Sequence, residues 1–333
     1  MNKMDTGDVA LTSRVRLARN HADLPFPGFQ DLTQAQESIR RAVRALSDDK
    51  HNLRPIELDK MSDLDRQSLV ERRVISRDLL RAPERCAVLR SDDEMISVMI
   101  NEEDHLRIQA FSNKFDLTHA AERAFEVDDW LSESLSFAFD PELGYLTACP
   151  TNTGTGMRAS VMLHLPALTW SGEMNKVTAA LSKLGMTLRG LYGEGSEAQG
   201  DLYQLSNQWT LGRSEEEILD EMIAASSQMV AMERKVRLGL QLSDKITLED
   251  RLYRAIGILE RCRKISAKEF MQMWSGLRLA SCMDIYPLPL TEIDKILTAA
   301  QPACLQQSVG ETLDESRRDE LRARLIQKMM KPE

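Results

Sequence analysis

Four short stretches of this 333-residue chain gather residue types that packing alone does not call for. The first, Thr12-Ser13-Arg14-Val15-Arg16-Leu17-Ala18-Arg19, sets Arg14 and Arg16 two positions apart, so on a strand they point the same way. Taken alone it reads as an exposed basic edge strand. The second, Asn101-Glu102-Glu103-Asp104-His105-Leu106-Arg107, carries three consecutive carboxylates, more than a tight turn needs. It is a solvated acidic loop, a cation clamp, or a general base poised beside Arg107. The third, Cys149-Pro150-Thr151-Asn152-Thr153-Gly154-Thr155-Gly156-Met157-Arg158, is a Gly/Thr-rich loop able to wrap an anion with backbone N–H groups. It lacks the Gly-Lys-Ser/Thr ending of a phosphate-binding P-loop. Cys149 is either a small buried hydrophobe or a thiol whose polar loop and nearby Arg158 favour the thiolate. The fourth, Arg189-Gly190-Leu191-Tyr192-Gly193-Glu194-Gly195-Ser196-Glu197, has three glycines in six residues, the mark of a backbone that approaches something closely.

Together the stretches supply two sets of groups. Arg14, Arg16, Arg107, Arg158 and Arg189 are forked cations suited to surrounding a polyphosphate, while Glu103, Glu194 and Cys149 suit a positively charged partner. A nucleotide cradle opposite an anionic pocket fits phosphoryl transfer to a cationic acceptor.

Elements must bring these distant stretches together. Met95–Ile100 and Leu106–Phe111 alternate and flank the acidic stretch, which predicts a hairpin and an antiparallel sheet. Leu146–Cys149, Arg158–Leu165, Met186–Leu191 and Asp201–Ser206 are further strand candidates, with a helix from Pro166 to Lys183 between them. Ile39, Val43 and Leu46 share one helical face within 33–46, and Ser62 with Asp65 opens another helix. Ser214 with Glu217 forms a capping box ahead of a long helix to about Gly239. Beyond Leu242 only helices are expected: Thr247, Ser266 and Thr291 each precede an acidic residue three positions on, and a last helix runs from about Asp314 to Met330. The expected class is α+β, an antiparallel sheet flanked by helices over 1–240 followed by an all-helical region over 241–333.

Composition narrows the function classes. A net charge of −9 and an acidic isoelectric point near 5.3 argue against general nucleic-acid binding, although a local basic pocket is compatible with both. The 30 Arg outnumber the 13 Lys, which favours planar recognition of phosphate or carboxylate. Five scattered cysteines show no C-x-x-C spacing, so neither a disulfide framework nor a zinc site is expected. No apolar run is long enough to span a bilayer, and the first twenty residues lack the apolar core of a signal peptide; a cytoplasmic protein without membrane contact is expected.

The four stretches resemble, in order, the signature motifs of the phosphagen (guanidino) kinases: S-R-V-R, N-E-E-D-H-x-R, C-P-T-N-x-G-T and R-G-x-x-G-E, over roughly residues 8 to 240. Within that family the wording from Arg189 to Gln208 is similar to the bacterial protein arginine kinases of the McsB type. Only 13 residues precede Arg14, where small-molecule guanidino kinases carry a helical domain. The run Arg318-Asp319-Glu320-Leu321-Arg322-Ala323 resembles that branch's R-D-x-x-R-A motif, and on a helix Arg318 and Arg322 lie one turn apart, able to fork onto one phosphate. Arg77-Asp78-Leu79-Leu80-Arg81-Ala82 matches the pattern too, in a region where the family does not have it, and is read as coincidence. One departure stands out: Glu71-Arg72-Arg73-Val74-Ile75-Ser76 has Arg73 where the family usually carries a nucleotide-contacting His.

The resemblance implies an ATP site of Thr12, Ser13, Arg14, Val15, Arg16, Arg107, Arg158, Ala159, Ser160, Val161, Met162, Arg189, Gly190, Leu191, Tyr192, Gly193 and Glu194. Mg²⁺ would arrive with the nucleotide. Glu103 and Glu194 would grip a guanidinium, Glu103 as the base, with Cys149 as a further negative contact, and Arg318–Ala323 would bind phosphoarginine allosterically. It further implies protein substrates with accessible arginines, marking for Clp-type proteolysis, an activating zinc-finger partner and a homodimer. A small-molecule guanidino kinase and a non-catalytic phosphoarginine-binding adaptor are the competing readings.

Overall fold

The computed structural model describes residues 6–47, 52–190 and 198–331. In chain order the strands are β1 (Ala10–Arg19), β2 (Arg54–Ile56), β3 (Ala87–Arg90), β4 (Ile96–Ile100), β5 (Leu106–Ser112), β6 (Phe139–Asp140), β7 (Gly144–Tyr145), β8 (Met157–His164), β9 (Met186–Gly190) and β10 (Leu202–Asn207). The helices are α1 (Leu32–Ala45), α2 (Asp63–Glu71), α3 (Leu117–Ser132), α4 (Pro166–Trp170), α5 (Met174–Lys183), α6 (Glu215–Ser243), α7 (Lys245–Arg261), α8 (Ala267–Cys282), α9 (Leu290–Ala299), α10 (Pro302–Gln307) and α11 (Glu315–Met329).

Eight strands form one antiparallel sheet in the order β2-β3-β4-β5-β1-β8-β10-β9. The basic stretch at the start is therefore not an edge strand. β1 lies inside the sheet between β5 and β8, where both its ladders are satisfied. Alternation divides the sheet faces. Val15 and Leu17 of β1, Ile108 of β5 and Ala159 and Val161 of β8 are fully buried on one face. There they join α3, whose Ala120, Ala121 and Ala124 let it pack closely, and the apolar stripe of α6. The other face carries the arginines.

The expected hairpin is present, with the Asn101–His105 turn closing β4 and β5. Leu146–Cys149 is not a strand, because its polar backbone groups go elsewhere: Ala148 N–H donates to Asp104 Oδ1 and the Cys149 carbonyl accepts from Thr147 Oγ1. The single helix expected from Pro166 to Lys183 is two, α4 and α5, separated at Gly172, which sits at positive φ. Ser62, Ser214 and Ser266 cap α2, α6 and α8 as expected. Thr247 and Thr291 do not cap. Asp244 takes the N-cap of α7, accepting from Thr247 N–H, and Pro289 precedes α9. The expected boundary at 240 falls inside α6, and Asp244 both ends that helix and starts α7.

The C-terminal helices build a second core around Phe270, Trp274, Leu277 and Ile293 that also takes in Leu11, Met162 and Leu202 from the sheet. Arg278 ties the two together by donating to the Gly7 and Asp8 carbonyls at 2.8 and 2.9 Å and to Asp294.

At the end of β1, buried Arg19 donates twice to Asp128 Oδ2 on α3, at 2.6 and 3.1 Å. It also donates to the Ala18 and Thr155 carbonyls and lies over the Tyr145 ring at 3.5 Å. One side chain thus joins the sheet, a core helix and the loop that precedes β8. Asp128→Ala strands a buried cation and is expected to cost about 3–5 kcal/mol, read as a lowered midpoint in urea unfolding; replacing Arg19 and Asp128 together by Met and Leu is expected to cost less than the single change.

Candidate active site

Register explains why the arginines converge. Across β1, Arg16 pairs with Gln109 of β5 and Arg158 of β8, Arg14 with Phe111 and Ser160, and Ala18 with Arg107. Gln204 of β10 faces Met162 of β8 and Arg189 of β9. Directly paired residues share a face. Four strands far apart in sequence therefore present Arg14, Arg16, Arg107, Arg158 and Arg189 to one cleft of about 800 Å³. The same alternation turns Ser13, Val15, Ala159 and Val161 the other way: the last three are core, and Ser13 Oγ bonds the Lys114 carbonyl and Asp116 N–H. Those members of the expected nucleotide runs support the strand without facing the cleft. Met162 lines it, and Thr12 and Ser160 lie on the same sheet face, bonded to the lining residues Arg73 and Arg14.

The cleft is a positive well. Arg14 is held by Gln204 Oε1 at 3.0 Å and Ser160 Oγ at 3.4 Å, and burial followed by Arg73, Arg107 and Arg158 pulls its pKa down to about 9. Arg16 and Arg158 are lowered by burial and by neighbouring arginines as well. Arg16 Nε is buried and has no hydrogen-bond partner among the described residues. Such a cation is stabilised by an incoming anion.

The acidic turn is not a solvated cluster, for its three carboxylates do three different things. Glu102, its side chain 1 % exposed, pairs with Arg107 at 2.6 Å. Asp104 is fully buried and accepts from Asn20 Nδ2 and Ala148 N–H, both at 2.7 Å. Only Glu103 opens to solvent, its side chain 44 % exposed, with Arg107 Nη2 at 3.2 Å. Burial pushes Glu103 above the ordinary carboxylate range against the pull of Arg107, and Asp104 and Glu102 add to the rise.

Glu103 faces a second hollow of about 140 Å³, which Cys149, Thr151, Asn152 and Gly156 also line. Arg16, Arg107 and Arg158 line both hollows, so the two abut. Cys149 Sγ lies 3.0 Å from Thr151 Oγ1, and Asn152 Oδ1 accepts from Arg158 at 3.3 Å. Gly156 sits at φ +64°, and a Cβ there would come within 2.6 Å of the Ala18 carbonyl and 2.7 Å of Arg19 Nη1. The loop is thereby pressed onto β1.

Leu191, Tyr192, Gly193 and Glu194 lie outside the described residues. Arg189 and Gly190 before them and Gln199 after them line the large cleft. In the C-terminal motif, Arg322 does not project beside Arg318 as a free pair. It is 1 % exposed and clamps the helices, donating to the Ala300 and Ile265 carbonyls and to Asp319, so its guanidinium is engaged by protein oxygens. Glu320 pairs with Lys264 and Arg317, and Ala323 is buried.

Two further arginines are among the cleft residues that escaped the sequence reading. Arg73, at φ +65°, lines the cleft and donates to Thr12 Oγ1 at 3.3 Å; its signal was the departure before Val74-Ile75-Ser76. Arg77, from the motif copy read as coincidence, lines it as well. Met271, Leu297 and Pro302 from the C-terminal helices form the opposite wall, and no local pattern marks them. No cluster suited to holding a metal ion occurs among the described residues.

Two family profiles match the chain: the ATP:guanido phosphotransferase C-terminal catalytic domain over residues 34–236, and the protein-arginine kinase McsB C-terminal domain over 245–333. Curated relatives named protein-arginine kinase are similar along nearly the whole length. That of Caldanaerobacter subterraneus subsp. tengcongensis is 42 % identical over 323 residues, 96 % of each chain. That of Symbiobacterium thermophilum is 44 % identical over 329 residues, 96 % of this chain and 92 % of the relative. Among solved structures, lombricine kinase superposes with a TM-score of 0.64 at 24 % identity, over 72 % of this chain and 70 % of that one. The duplicated taurocyamine kinase of Schistosoma mansoni superposes with a TM-score of 0.63 at 26 % identity, over 76 % and 38 %.

Arg16→Ala removes a forked cation from the floor of the cleft and is expected to weaken ATP binding by about 1.5–3 kcal/mol, measured by calorimetry. Arg81→Ala, on an exposed residue paired with Asp78, is expected to leave binding unchanged.

Proposed function

The chain belongs to the ATP:guanido phosphotransferase family, and from that premise we propose that it is a protein arginine kinase, transferring the γ-phosphate of ATP to arginine side chains of proteins. The observation that carries this reading is the wall of Arg16, Arg107 and Arg158 shared by the large basic cleft and the small hollow of Glu103 and Cys149. A triphosphate in the first and a guanidinium in the second meet across those three cations, where charge on a transferring phosphoryl group is greatest.

Arginine is protonated at neutral pH and not nucleophilic until a proton leaves. In this reading Glu103 accepts that proton as the N–P bond forms and the bond from the γ-phosphorus to the ADP oxygen breaks. Its raised pKa suits a base better than an ordinary surface carboxylate. Glu102 remains bound to Arg107 and Asp104 to Asn20 and Ala148, so neither competes for the guanidinium. Glu194 as the second carboxylate and Cys149 as a further contact follow from the motif resemblance. Mg²⁺, held by the phosphates, would neutralise charge on the nucleotide. Marking of substrates for Clp-type proteolysis, a zinc-finger activator, a homodimeric state, a cytoplasmic setting and allosteric binding of phosphoarginine by the Arg318–Ala323 helix belong to the same proposal and rest on the resemblance.

Incubation with ATP, Mg²⁺ and an unfolded protein is expected to give acid-labile phosphate that maps to arginine by mass spectrometry. Transfer to free arginine alone would mean a small-molecule kinase, and no transfer at all an adaptor. Glu103→Gln is expected to lower kcat about 10²–10⁴-fold with ATP affinity kept. Because the folded pKa is raised and the deprotonated form acts, wild-type kcat/KM falls as pH drops through a value above the ordinary glutamate range, and Glu103→Gln loses that limb.

A further inference from the structure

We infer that Asn20 and Asp104 are positioning residues for the transfer, forming a buried joint that fixes the Glu103 turn to the Cys149 loop. The inference rests on the reading in which Glu103 is the base, and adds to it two residues that line neither hollow themselves.

Glu103 and Cys149 line one small hollow but come from segments distant in the chain. A single bond ties those segments: Ala148 N–H donates to Asp104 Oδ1 at 2.7 Å. Each end of it lies one residue from a side chain of the hollow, for Asp104 follows Glu103 and Ala148 precedes Cys149. Asn20, just past the end of β1, reinforces the tie. Its Nδ2 donates to the same Asp104 oxygen at 2.7 Å and to the Leu146 carbonyl at 3.0 Å. Its Oδ1 accepts from His105 N–H at 2.9 Å and lies 2.8 Å from His105 Nδ1. Burial pulls the His105 pKa down to about 4, so the ring is neutral; it donates from Nδ1 to Asn20, and Gln30 Nε2 donates to its Nε2 at 2.7 Å. Both donors and both lone pairs of the Asn20 amide are thereby used. Asn20, Asp104 and His105 are each 1 % exposed or less. The turn and the loop are thus set against the end of β1 by one side chain.

Geometry and charge separate cleanly at Asp104. Both donors reach Oδ1, while Oδ2 is buried with no partner among the described residues. An isosteric amide therefore keeps the joint and removes the charge, whereas truncation opens the joint. A reacting group displaced by about 1 Å loses about 10²-fold in rate. The charge acts on the base itself. Burial raises the Glu103 pKa first, Asp104 and Glu102 add to the rise, and Arg107 and Arg158 oppose it across a hollow that Cys149 also lines.

Steady-state transfer to an arginine peptide, with ATP affinity from calorimetry, tests the joint. Asp104→Ala and Asn20→Ala are each expected to lower kcat about 10²-fold with ATP affinity kept. The double variant loses little more than either, because both open one joint. Asp104→Asn is expected to retain most of kcat at neutral pH and to move the acid limb of kcat/KM, the limb that Glu103→Gln abolishes, to lower pH. Alanine variants that bind ATP and transfer at the wild-type rate overturn the inference. So does Asp104→Asn if it is as slow as Asp104→Ala, or if its acid limb stays in place. Should the alanine variants fail to bind ATP, the asparagine variant decides alone through its rate and its limb. A limb that survives Glu103→Gln overturns the base assignment instead, and absence of transfer by the wild-type enzyme overturns the kinase reading.

Discussion

Repulsion between like charges is the constraint around which the catalytic region is arranged. Guanidinium groups on neighbouring strands cannot share a face without a compensating cost, and Arg14, Arg16 and Arg158 are shifted below the usual arginine range by burial first and by neighbouring guanidinium charges second. The protein offsets only part of that charge. Glu102 neutralises Arg107, Gln204 and Ser160 hold Arg14 with dipoles, and Asn152 holds Arg158. Full neutralisation by carboxylates would stabilise the empty cleft. The residual positive charge suits the cleft to an anionic ligand.

Such a charged face must be carried by a rigid frame, since arginines free to splay apart would relieve their repulsion by moving. The frame is the apolar opposite face of the same strands. Val15 and Leu17 are locked against α3 while Arg14 and Arg16 alternate with them, so core packing and cleft geometry are set by one backbone. A one-residue slip of β1 would exchange the two sets. The Arg19–Asp128 pair at its end extends that lock to the loop of Cys149 and Gly156.

Local pattern carried the reading of the sequence wherever a residue's role depends on its neighbours in the chain. The two-residue spacing of Arg14 and Arg16, the hairpin around Asn101–His105 and the serine caps are of that kind, and each appears in the structure. Partnership across long separations was not legible. Nothing local separates Glu102, Glu103 and Asp104; their roles are assigned by Arg107, by solvent, and by Asn20 and Ala148. Arg322 likewise looks like an open cation in its motif and is closed by carbonyls of Ile265 and Ala300. Thr247 matched a capping pattern, yet Asp244, also able to cap, stood three residues earlier and begins the helix. In each case the competing partner was distant, or equally good and nearer the helix start.

The C-terminal helices are more than an appendage in this arrangement, because the basic cleft has part of its lining there. Met271, Leu297 and Pro302 face the arginines across the cleft. The Glu71 carboxylate on α2 accepts from Ala303 and Cys304 N–H groups at 2.8–2.9 Å, which seats it on the start of α10 directly beside that wall. Ser68 adds a bond to Gln307 at 2.6 Å, and Arg278 reaches back to the carbonyls just before β1. These bonds connect both walls through short, part-buried links. Arg322 fixes α11 to the Ala300 carbonyl, two residues before Pro302, so the last helix is joined to the cleft wall by one hydrogen bond and a two-residue step of chain.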